Sequence, residues 1–106
     1  MTWNETDLKK KIKKDFDAKG AWSFAPVQTG MGVSGIPDRI ACVPTIIQPE
    51  DVGKTLGLFV GIEAKVGKKD PTRLQQIQLD GIAAAGGVAL VINGVKGEPY
   101  TVRRVK

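Results

Sequence analysis

Between Trp3 and Lys19, Leu8, Ile12 and Phe16 recur every four residues and form one apolar stripe, which predicts a helix over that span. Glu5 falls within the same stripe, three positions before Leu8, and Asp15 lies at its margin. Lysines at 9, 10, 11, 13, 14 and 19 mostly cover the other face, and Gly20 is placed to end the helix in a left-handed conformation. The pattern then changes. Trp22–Gln28 predicts a strand, and Pro26, which has no N–H to donate, puts it at a sheet edge. A loop over 29–37 is followed by a second strand from Asp38 to about Thr45. A polar loop around Gln48–Lys54 carries turn chemistry.

A third strand is predicted from Leu58 to Val66. Leu58, Val60, Ile62 and Ala64 share one face, and Phe59, Gly61, Glu63 and Lys65 share the other. That fits a strand buried on both sides over most of its length, with Glu63 and Lys65 at its far end. A second helix runs from Pro71 or Thr72 to Ala85, and Gly86-Gly87 end it. Val88–Asn93 predicts a fourth strand, parallel to the third because a helix crosses between them. Residues 98–105 can add a fifth, edge strand. Helix, three-stranded meander, helix and strand make an α/β chain with a mixed sheet and helices packed on it. No internal repeat or linker interrupts residues 1–106, which predicts a single domain.

Composition narrows the chemistry. The chain has no histidine, so histidine general bases, histidine metal sites and Ser-His-Asp or Cys-His catalysis are excluded. Cys42 is the only cysteine, which excludes an internal disulfide and a cysteine zinc site and leaves a buried, inert thiol. Sixteen Lys and Arg against eleven Asp and Glu give a net charge of +5, which suits a polyanionic partner. No apolar run of membrane-spanning length and no signal-peptide pattern is present, so the expectation is a soluble, cytoplasmic protein.

Two short stretches carry the candidate chemistry: Gly35-Ile36-Pro37-Asp38 and Ile62-Glu63-Ala64-Lys65. If the strands beginning at Asp38 and ending near Lys65 pair antiparallel, arms of equal length bring Asp38 close to Glu63. Two such carboxylates repel unless a cation lies between them, and Mg²⁺ or Mn²⁺ favours oxygen ligands of this kind. A plain Glu63–Lys65 ion pair at a strand end is the simpler alternative. Gly30-Met31-Gly32-Val33-Ser34-Gly35 spells G-x-G-x-x-G, but Pro37 and a strand follow where a dinucleotide fingerprint needs a helix. No nucleotide cofactor is therefore expected. Thr72-Arg73-Leu74-Gln75 reads as a capping box.

The ordered set of Gly-Ile-Pro-Asp (35–38), Glu63-Ala64-Lys65, Gln75 and Gly86-Gly87 before a final apolar strand resembles the PD-(D/E)XK nuclease superfamily. The finer resemblance is to its virus-type replication–repair nuclease (VRR-NUC) branch, in the stand-alone phage form, and it covers about Glu5 to Asn93. It implies a restriction-endonuclease-like αβββαβ core, a mixed β-sheet flanked by helices. It implies Asp38, Glu63 and Lys65 as catalytic residues, with Gln75 orienting water or phosphate and Gln78, one turn on, as the fallback. Mg²⁺ or Mn²⁺ would be held by Asp38, Glu63, the Ala64 carbonyl and Glu5. For Glu5, helix-terminus electrostatics is the equally weighted alternative.

The glycine loop with Gly32 and Ser34, together with Lys68, Lys69 and Arg73, would contact phosphates. Such contacts give affinity without sequence information. The implied activity is metal-dependent endonucleolytic cleavage of branched DNA, such as Holliday junctions or flaps, by a homodimer in the host cytoplasm. The alternatives are a non-catalytic basic nucleic-acid-binding module on the same fold, or a nuclease for RNA or linear DNA.

Overall fold

The computed structural model describes residues 4–27 and 37–106, in two compact units, Met1–Pro44 and Thr45–Lys106. In the first unit, α1 (Glu5–Ala18) is followed by a short antiparallel pair, β1 (Trp22–Phe24) and β2 (Ile40–Cys42). Asn4 caps α1: its side-chain oxygen accepts from the Asp7 N–H at 2.8 Å, satisfying one otherwise orphaned donor. Glu5 and Asp7 occupy the first turn, where the helix dipole favours acids. The helix ends at Gly20, whose φ of +75° is open to glycine at little cost, and the Gly20 N–H donates to Asp17 O. Lys11–Asp15 and Lys13–Asp17 pair along the outer face at i,i+4 spacing. The apolar stripe is only partly covered: Leu8 is 46% exposed, and no residue of α1 is fully buried.

The second unit opens with a 3-10 turn (Pro49–Asp51), then β3 (Val60–Val66), α2 (Arg73–Ala84), β4 (Val88–Gly94) and β5 (Thr101–Val105). The three strands form one mixed sheet with β4 in the centre, parallel to β3 and antiparallel to β5. The crossover from β3 through α2 to β4 makes that parallel pair, as the pattern predicts. The core lies between α2 and one face of the sheet. Leu79, Ile82 and Ala85 come from the helix, Ala89 and Val91 from β4, and Val105 from β5. Gly61 belongs to that face, and a Cβ built there would stand 2.6 Å from Ile82 Cδ1, so the glycine lets the helix approach the strand closely. The expected caps are present. Thr72 and Gln75 bond reciprocally at the start of α2, and Gly86, at φ +94°, turns the chain after its end. No helix among the described residues is long and apolar enough to cross a membrane.

Two expectations are corrected. Among the described residues, the meander does not form as a single sheet. The ladder partner of β2 is β1 and that of β3 is β4, so no shared register sets Asp38 beside Glu63. The strand carrying Glu63 is also not buried on both faces. Val60, Ile62 and Val66 are 44%, 58% and 72% exposed, while Gly61, Glu63 and Lys65 face the helix and are half-buried. The covered face of β3 is thus the one bearing the charges. Strand bounds also shorten, with β1 ending at Phe24 and β2 starting at Ile40.

Candidate functional site

The residues singled out from the sequence fall in both units, and each group is built by its own scaffold. In the first unit, Asp38 lies in the bend that leads into β2, and Glu5 starts α1. Both line one pocket of about 140 Å³, together with Leu8, Lys9, Ile12 and Arg39. The apolar stripe of α1 supplies the floor, since Leu8 and Ile12 share the helix face on which Glu5 lies. Glu5 is 78% exposed and pairs with Lys9 at 3.5 Å. An exposed pair of this kind contributes ~0–1 kcal/mol, so a stronger cation can displace the lysine. The Arg39 Nε–H donates to Ser23 Oγ at 3.0 Å, tying the entry of β2 to β1.

In the second unit, Glu63 and Lys65 lie two residues apart on the helix-covered face of β3. Lys65 Nζ stands 3.8 Å from Glu63 Oε1, with the side chains 17% and 26% exposed respectively. The pair is therefore more sheltered than the ion pairs of α1, which raises its electrostatic worth. Ala64 points to the opposite, open face, leaving its backbone carbonyl as the only group it could offer an ion. Gln75 forms the cap read in the sequence: its Oε1 accepts from the Thr72 N–H at 2.9 Å, and its own N–H donates to Thr72 Oγ1 at 3.2 Å. The Gln75 carbonyl oxygen is thereby committed to the backbone, and any other role falls to its amide nitrogen.

Lys68 and Lys69 follow β3 in an exposed turn, and Arg73 opens α2. Gly32 and Ser34 lie outside the described residues. Among the described residues, no group of three or more Asp, Glu, His or Cys side chains gathers as a ready cation site. The two acids that line the first unit's pocket, Glu5 and Asp38, offer carboxylate oxygens. That suits Mg²⁺, which keeps several waters and needs only one or two protein carboxylates.

Three groups here escaped the sequence reading. Lys9 had a signal, its i,i+4 spacing from Glu5. Arg39 had none beyond adjoining Asp38. Asn93, read only as the end of a strand, donates from Nδ2 to both Gly67 O and Lys69 O at 2.9 Å and fixes the lysine turn. Compared with protein-family models, with curated proteins and with solved structures, the chain matches none.

Proposed function

We propose that the protein is a metal-dependent endonuclease acting on branched DNA, with the restriction-endonuclease-like core that its motifs resemble. The observation that carries the reading is the shared pocket of Glu5 and Asp38. A helix acid and the acid of the Pro-Asp turn, far apart in sequence, line the same small space. The sheltered Glu63–Lys65 pair supports it from the other unit.

Glu5 and Asp38, which line one pocket of the first unit, are the groups that would hold Mg²⁺ or Mn²⁺ there. Held there, such an ion would supply an acidified water and neutralise phosphate charge. Lys65 contributes an ammonium that orients the attacking water and stabilises the charge developing on the phosphate oxygens. Glu63 holds that ammonium in place in the resting protein, at 3.8 Å. Lys68, Lys69 and Arg73 bind backbone phosphates on either side, an interaction that weakens steeply as salt rises. Cutting two strands of a four-way junction symmetrically suits a two-fold pair of subunits, so a homodimer is expected on gel filtration.

A second reading, a non-catalytic basic nucleic-acid-binding module, is favoured by the ion pairs themselves. Glu5 with Lys9 and Glu63 with Lys65 are satisfied without any ligand. A substrate panel separates the two. Four-way junction, flap, linear duplex and single-stranded RNA are incubated with the protein in Mg²⁺ or Mn²⁺, alongside Lys65→Ala. Nicking of the branched DNAs that Lys65→Ala lowers by ~10²–10³ fits the nuclease. Salt-sensitive binding of every polyanion with no cleavage of any leaves the binding module.

A further inference from the structure

A second cavity, of whose lining only Lys68 has been given a role, opens where the parallel strands β3 and β4 end. It measures about 430 Å³ and is bounded by Lys68, Asn93, Val95, Glu98, Pro99 and Thr101. That volume lies within the range of small-molecule sites, and the carboxyl ends of parallel strands are where α/β sheets commonly receive ligands. The walls are fixed in advance. Asn93 Nδ2 clamps Gly67 O and Lys69 O, and the Gly67 N–H donates to Gly94 O at 3.0 Å. The lining divides into a cation (Lys68), a carboxylate acceptor (Glu98), a hydroxyl (Thr101) and two apolar surfaces (Val95, Pro99). Neither Lys68 nor Glu98 has an ion-pair partner among the described residues.

Register gives the cavity an address. Asn93 is the ladder partner of Lys65, and Thr101 that of Asn93, so the three form one row across the helix-covered face. The cavity therefore starts one strand spacing from Lys65, about 4.8 Å in an ordinary sheet.

We infer that this cleft is a nucleoside subsite, which takes the sugar and base of the nucleotide next to the phosphate that Lys65 faces. Lys68 meets the 5′-phosphate, the base lies between Val95 and Pro99, and Glu98 accepts from the exocyclic amino group of the base. A carboxylate at that edge favours cytosine over thymine, because thymine presents a carbonyl where cytosine presents an amine. The inference rests on the proposed function only for what the nucleoside is attached to. The composition of the cleft stands apart from the acids.

The test is a titration of the whole protein, without metal, by dCMP, dTMP, deoxyribose 5-phosphate and inorganic phosphate, followed by backbone amide NMR shifts. The expected result is saturable shifts at Gly67, Gly94, Val95 and Thr101 with dCMP, roughly tenfold weaker binding of dTMP, and weaker binding still without a base. Glu98→Gln should erase the difference between dCMP and dTMP, and Val95→Trp should fill the cleft and abolish both. Lys13→Ala, an exposed change on α1, should leave dCMP binding in place. Equal shifts with inorganic phosphate and dCMP, or shifts confined to residues outside the cleft, overturn the subsite. If DNA is never cleaved but dCMP binds as described, the nuclease reading fails and the subsite survives.

Discussion

The two units differ in how firmly they hold the charges they carry. In the second, Glu63 and Lys65 lie on a seven-residue strand hydrogen-bonded along its length to β4, beneath a helix. Six apolar residues of that unit are buried, and Val91 at its centre is completely so. In the first, Glu5 and Asp38 sit at the start of a helix and in a bend before a three-residue strand, and Cys42 is the only buried apolar residue described. Burial at ~25 cal/mol per Å² is what fixes a scaffold, so among the described residues the second unit holds its pair more firmly than the first holds its acids. A group that must adapt to a ligand is better placed on the loose scaffold, and a preorganised ammonium on the rigid one.

The contrast can be broken most directly at the core of the second unit. Ile82→Ala removes a side chain only 4% exposed and should cost ~2–5 kcal/mol in chemical denaturation. A value near zero would mean that the helix is not what holds the sheet. Gly61→Ala should cost ~1–3 kcal/mol, because the new methyl meets Ile82 Cδ1. The double variant Gly61→Ala with Ile82→Val, which deletes that Cδ1, should recover part of the loss in a double-mutant cycle. Thr72→Ala deletes the acceptor of the α2 cap and should cost ~1 kcal/mol, read by the unfolding midpoint and by faster amide exchange in the first turn. In the first unit, Lys13→Ala removes an exposed ion pair and should shift stability by only ~0.3–0.5 kcal/mol. Hydrogen exchange sharpens the contrast without mutation: β4 amides should outlast those of α1, and equal protection would erase the distinction.

Much of the local structure was legible in the residues. The four-residue repeat of Leu8, Ile12 and Phe16 gave α1, the Thr72–Gln75 spacing gave the cap, and Gly20 and Gly86 marked helix ends where only a positive φ continues the chain. The parallel β3–β4 pair followed from the helix between them. Partner choice was not legible. A strand's pattern states which faces are apolar but not which neighbours it bonds, so β2 could be read between β1 and β3 when, among the described residues, only its pairing with β1 forms. The burial of β3 was misjudged for a related reason. Its most apolar face is open, and Gly61, the residue that admits α2, looked like a gap in the pattern rather than a contact. Of the candidate site, the Glu63–Lys65 pair was anticipated from its spacing, whereas the Asn93 clamp depends on a turn that no spacing announces.

The central proposal is that Asp38 and Glu63 are each needed for DNA cleavage. Cleavage rates on a four-way junction in Mn²⁺, measured for wild type, Asp38→Ala, Glu63→Ala and the double variant, test it. Each single change should lower the rate by ~10²–10³, and the double should cost little more than the worse single, as groups acting as a unit do. Asp38→Ala cutting at the wild-type rate, with its fold intact by circular dichroism, would contradict it.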